Sequence, residues 1–168
     1  MTSPAYEQLI ARLKRADVLR SVLSLLHWDE QVNLPPGSAA RRAMQLQELA
    51  SLHHAAAADP EIGKLLSELE SCGFAGGSDP AVLIRYARRD YDRAARLPED
   101  FVRDKAALDS AAFHAWAKAR KDSDFASFAP FLERQLAMAR KEADLMGWGD
   151  RPYDYAIDLH DPGLNAAF

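Results

Sequence analysis

A single cysteine, Cys72, among 168 residues excludes an internal disulfide. Its neighbours Ser71 and Gly73 read as a helix end, so the expectation is an unexceptional thiol in a reducing compartment. Long apolar runs are missing as well: none approaches the roughly 18 residues a membrane helix needs. The start, Met1-Thr2-Ser3-Pro4, carries no basic segment and no apolar one. Together these absences predict a cytoplasmic protein with no membrane partner. An excess of basic residues is lacking too, and a formal charge of −4 argues against a nucleic-acid partner. β-branched residues are sparse, and no stretch alternates apolar and polar residues long enough to make a strand.

What is present is helical. Apolar residues make up 48% and charged residues 27%, ordinary values for a chain that folds as a single helical domain over 1–168. The pattern predicts an all-α antiparallel bundle of about six helices with an irregular carboxy-terminal tail. Ser3 and Pro4 start the first helix, about 4–32, whose stripe is Leu9, Leu13, Ala16, Leu19, Leu23 and Leu26. Val18, Val22 and Leu25 lie outside that stripe and widen the apolar surface. Pro35-Pro36-Gly37 breaks the chain, and Ser38 is the expected cap of a second helix to about 57, with Ala43, Leu46, Leu49 or Ala50, and Leu52 inward. Asp59-Pro60 opens a third helix with a core face of Ile62, Leu65, Leu66 and Leu69, and Asp79-Pro80 repeats that start for a fourth, about 80–96.

A fifth helix restarts at Leu97-Pro98-Glu99-Asp100 and runs to about Arg120. The sixth begins between Asp124 and Ser127, with Pro130 expected in its first turn, and stops at Gly147. Its stripe is Phe128, Leu132, Leu136, Ala139, Ala143 and Met146. Trp116 with Phe113, and Phe125 with Phe128 and Phe131, read as core. Beyond Trp148 the chain reads mostly as loop, with one helical turn near Tyr155–Leu159.

The chemistry is sparser. Two histidines four apart on a helix, with a glutamate beside the first, would make a zinc site. His27, His53, His54, His114 and His160 show no such pair, so no metal ligand and no catalytic residue is assigned. His53 and His54 point about 100° apart on a helix and read as helix-end dipole partners. Helix four carries Arg85, Arg88, Arg89, Arg93 and Arg96, of which 85, 89, 93 and 96 share a side; with Tyr86 and Tyr91 nearby they suit either an anion patch or a solvated face paired with Asp90 and Asp92, and the acidity of the chain favours the solvated face. The cluster His27-Trp28-Asp29-Glu30 stands at the proline corner. Trp28 and Asp29 either line a groove, or plug the helix pair and bond a neighbouring helix.

One resemblance is carried by this corner and by the tail. The run HWDEQVNLPPGSAARRAMQLQELASLHH, Phe125-x-x-Phe128-x-Pro130-x-Leu132, and Pro152-Tyr153-Asp154 followed by Asp161-Pro162-Gly163 resemble the amino-terminal third of the carboxypeptidase Taq family. His160 and Asp161 replace the family's usual aromatic and glutamate. The resemblance implies part of a metal-dependent carboxypeptidase, with zinc or cobalt held downstream of this region and peptides as substrates. It makes His27, Trp28, Asp29, Tyr153 and Asp154 groove-wall candidates in a wall or lid, and implies that this chain alone is inactive. A free-standing, non-catalytic helical interaction module is the alternative. As part of a larger enzyme, the chain is expected to self-associate through exposed apolar faces, or to expose an apolar groove near the first helix and the Trp28 corner; a monomer with no exposed apolar surface would favour the module.

Overall fold

The computed structural model describes residues 3–167, with every side chain among them but that of Pro36. It is all-α: no strand occurs among the described residues. No helix there is long and apolar enough to cross a membrane. The chain forms two compact units, Met1–Arg103 and Asp104–Phe168.

The first unit holds α1 (Pro4–Val32), α2 (Ala39–Ala57), α3 (Pro60–Ser71), α4 (Asp79–Arg96) and the start of α5 (Glu99–Asp122). Serine and proline start α1 as expected, since the Ser3 hydroxyl accepts the Tyr6 amide at 3.2 Å and Pro4 gives up no helix bond. Asp59 caps α3 by accepting the Glu61 amide at 3.0 Å, and Arg12 of α1 pairs with the same carboxylate. Ser38 does not cap α2. It ends a 3-10 turn, Pro36–Ser38, in a helical conformation that leaves its hydroxyl unable to reach the next amides. Asp79 likewise lies inside α4, whose N-cap position is Ser78.

The core of this unit joins Ala5 and Leu9 of α1 to Ile62, Leu65, Leu66 and Leu69 of α3 and Ile84 and Ala87 of α4. All four positions of the α3 face are buried as their spacing predicts. Arg88 ties α4 to α3, donating to Glu70 at 2.9 and 3.1 Å and to the Gly63 carbonyl at 3.3 Å. The helices meet closely there: a Cβ on Gly63 would stand 2.6 Å from the Tyr91 hydroxyl oxygen. Arg88 thus pairs across to α3, while Arg85 stays exposed over the Tyr86 ring at 5.2 Å.

The second unit holds most of α5, then α6 (Phe125–Leu145) and α7 (Pro152–His160). Asp124 caps α6 through the Ser127 amide at 3.3 Å, which puts Pro130 in the second turn and not the first. The helix continues through it, leaving the Ala126 carbonyl without its usual amide donor. Gly147, at φ +83, closes α6 with paired bonds, Trp148 amide to Ala143 carbonyl at 2.8 Å and Gly147 amide to Asp144 carbonyl at 2.9 Å. Only the end of the expected α6 stripe is buried, Ala143 and Met146; Leu136 and Ala139 are exposed.

The tail departs most from expectation. Its breakers bracket α7: Pro152 takes the first helical position, where it costs nothing, and Tyr155 is buried. Tyr155 donates to Glu142 of α6 at 2.9 Å, and Lys105 of α5 reaches the other oxygen of Glu142 at 2.9 Å. The aromatic residues read as core are not core. Trp116 and Phe125 are exposed, and with Phe128, Arg120 and Ser123 they line an open pocket of about 320 Å³.

Candidate functional site

The α1–α2 corner is built by one buried arginine. Arg42, 8% exposed, donates to the Leu26 carbonyl at 2.7 Å, to Asp29 at 2.5 Å and to Gln45 at 3.1 Å. Its rigid fork holds the last turns of α1 against α2. Asp29 is thus the carboxylate that bonds a neighbouring helix. It also receives the Asn33 amide group at 3.3 Å, while its own carbonyl accepts the Asn33 and Leu34 amides and closes α1. The Arg42 hydrogen bond, then that of Asn33, hold the Asp29 carboxyl below the ordinary carboxylate range.

A depressed carboxyl stabilises the fold above its unfolded-state value, and that contribution disappears as pH falls through the folded-state value. Replacing Arg42 with methionine is expected to raise the Asp29 titration towards the ordinary range, read by carboxyl carbon NMR, and to lower the melting temperature near neutrality. An unchanged Asp29 titration in R42M would contradict this account of the corner.

With Asp29 turned inward, the indole of Trp28 stands outward, 55% exposed. His27 is half-exposed, 3.9 Å from the buried Glu30. In the second unit, Tyr153 is 71% exposed at the start of α7, whereas Asp154 is buried. Asp154 pairs with Arg151 and accepts the Ala166 amide at 2.8 Å, while Asp158 accepts the Gly163 amide at 2.9 Å. Two carboxylates of α7 thereby fold the following segment back onto it. The two groups of candidates fall in different units, His27, Trp28 and Asp29 in the first and Tyr153 and Asp154 in the second.

His53 and His54 do not act as cations on the end of α2. Burial holds both imidazoles below their ordinary value, aided at His53 by the nearby Arg20 charge. They are neutral near pH 7 and gain little from the dipole. The resemblance implies a metal, and the residues present do not fit one: among the described residues no three His, Cys, Asp or Glu side chains gather closely enough to hold an ion. No chemical step is therefore derived through a metal on this chain. Arg42 is the residue that sequence reasoning missed. Its only signal was a charge at an inward position of α2, four residues before Leu46.

Comparison with known proteins places these features. Residues 8–168 match the family described as carboxypeptidase Taq (M32) metallopeptidase. Thermostable carboxypeptidase 1 of Thermus thermophilus is 32% identical over 173 residues, covering 96% of this chain and 34% of that protein. The crystal structure of BsuCP superposes with a TM-score of 0.89 at 25% identity, over 98% of this chain and 33% of that one. The carboxypeptidase of Pyrococcus furiosus, in a structure described as Apo-Mg, gives 0.75 at 27% identity, again over 98% and 33%. The chain spans about a third of the length of the relatives it matches. It belongs to the carboxypeptidase Taq (M32) metallopeptidase family.

Proposed function

We propose that this chain is the groove-wall or lid region of a metal-dependent carboxypeptidase that removes residues from the carboxy terminus of peptides. The observation that carries the reading is the family match along residues 8–168, joined to a superposition over a third of a carboxypeptidase-sized chain. The metal, zinc or cobalt, is then held by residues outside those described here, and the enzyme works in the cytoplasm. Exposure narrows the wall candidates. Trp28, Tyr153 and His27 are free to touch a peptide, whereas Asp29 and Asp154 are spent on Arg42, Arg151 and the Ala166 amide. The latter two are positioning residues. The exposed apolar face of α1 also supports the second reading, a non-catalytic interaction module.

A chimera decides between them. This chain would replace the matching third of the Thermus thermophilus enzyme, with release of carboxy-terminal amino acids measured with zinc or cobalt. An active chimera is expected, with Trp28→Ala raising KM roughly tenfold at unchanged kcat, as loss of a large aromatic contact used in binding alone does. A folded but inactive chimera would favour the module. The isolated chain should release nothing; chelator-sensitive turnover by it would place metal ligands within these residues.

A further inference from the structure

The corner between α5 and α6 exposes aromatic rings beside an arginine. The open pocket there, about 320 Å³, is lined by Trp116, Arg120 and the buried Ala119 of α5, by Ser123 of the turn, and by Phe125 and Phe128 of α6. Trp116 is 44% exposed and Phe125 67%. Neighbouring rings brace them: Phe113 stands 6.2 Å from Trp116 between centroids, and Phe125 meets Phe128 edge-on at 6.5 Å. Large apolar side chains gathered at the surface mark a place where something binds.

Charge at this corner is unbalanced in one direction. Arg120 has no carboxylate partner among the described residues. The acids beside it in sequence are engaged elsewhere, Asp122 with Lys118 at 3.3 Å and Asp124 with the Ser127 amide at 3.3 Å. No carboxylate lines the pocket. A guanidinium beside aromatic walls is a match for an anion with an apolar body.

Ser123 adds an independent sign. Its φ is +55, and it is the only non-glycine residue at positive φ among the described residues. It closes α5 as Gly147 closes α6: the Asp124 amide reaches the Ala119 carbonyl at 2.8 Å, and the Ser123 amide the Arg120 carbonyl at 3.4 Å. Glycine takes that conformation freely, whereas a side chain is crowded in it. Strain held in the wall of a pocket points to a hydroxyl that is used.

We propose that this corner is a binding site for a small aromatic monocarboxylate. The ring lies among Trp116, Phe125 and Phe128, Arg120 holds the carboxylate with its two-pronged fork, and the Ser123 hydroxyl donates to the same group. The volume is at the small end for ligand sites, which suits one ring with a short acid arm and not a peptide. A free amino acid fits worse than the plain acid, because its ammonium group would meet no carboxylate there. The site shares no residue with the groove-wall candidates and does not depend on the carboxypeptidase reading.

The test titrates 3-phenylpropionate into the full chain and follows the Trp116 indole N–H by NMR, its signal assigned through Trp116→Phe. Saturable movement is expected, with a dissociation constant of roughly 0.5 mM for a ligand of that size. Arg120→Met, or exchange of the probe for its uncharged amide, should each weaken binding by ~10-fold or more. L-phenylalanine should bind several-fold more weakly than the acid. Ser123→Gly separates binding from folding: about 3-fold weaker binding is expected, with a melting temperature raised by roughly 2–4 °C as the strain is relieved. Circular dichroism checks that each variant keeps its helix. A Trp116 signal unmoved at ~5 mM acid, binding indifferent to Arg120→Met or to the amide, or a Ser123→Gly variant that binds as well as the wild type would each overturn the proposal. A blocked peptide ending in phenylalanine that binds ~10-fold more tightly than the acid would overturn the assignment to a free acid.

Discussion

Leu66→Ala is expected to be the most damaging single truncation in this chain, at about 3 kcal/mol. Leu66 is fully buried in α3 and sits between residues of α1 and α4 in the core of the first unit. Leucine-to-alanine changes in such places cost the lost transfer free energy plus that of the cavity left behind. Neighbours that might close the gap are themselves fixed. α3 is capped by Asp59 at one end, held to α1 by the Arg12 pair, and bonded to α4 by Arg88. Little collapse is possible, so the cost should fall in the middle of the usual range. For a chain of this size that corresponds to roughly 6–12 °C of melting temperature. A loss under about 1 kcal/mol in urea unfolding would mean that the three helices repack freely.

The second large effect belongs to the other unit. Lys105→Met leaves Glu142, only 7% exposed, with the neutral Tyr155 hydroxyl as a partner and no lysine across from it. Breaking a buried ion pair from one side costs about 3–5 kcal/mol, because a charge is left uncompensated in a poor solvent. Lys105 itself is about half in water, so the expectation is reduced to about 2 kcal/mol. The double variant Lys105→Met with Glu142→Met should be milder than the single, since no charge is then stranded. Tyr155→Phe should cost about 1 kcal/mol, the size of one hydrogen bond. Chemical denaturation of the three variants tests the order; a double variant worse than Lys105→Met would show that packing, not charge, holds α7 in place.

These sites also mark where the sequence stops being readable. Ser3-Pro4 and Asp59-Pro60 announce their helices because capping is settled within three residues. The α3 face was legible for the same reason: a short helix buried along one side shows its period plainly. Arg42 reaches Asp29 and Leu26, which are 13 and 16 positions away, and no local pattern encodes that distance. The partners of Glu142 come from two other helices, so its burial could not be told from a solvated glutamate. The α7 helix was hidden by its own start signal. Pro152, in a segment whose glycines and prolines read as loop, stands where proline begins helices. At α6 the periodic stripe was real, but a helix with two exposed sides does not bury every apolar residue it carries. The corner residues Trp28 and Asp29 were found by pattern; which of them faces out was decided only by Arg42.

The contact between Gly63 and Tyr91 has a consequence for how this protein tolerates change. Filling a helix glycine with alanine is among the safest routes to heat resistance, worth up to about 1 kcal/mol where the backbone is already helical. At Gly63 the added methyl would land 2.6 Å from the tyrosine hydroxyl oxygen and 2.7 Å from its ring carbon. Variants recovered at this position should therefore arrive in pairs, a larger residue on α3 accompanied by a smaller one at position 91. The two sites form one unit of inheritance across a helix boundary, and a search that changes residues one at a time would pass it by.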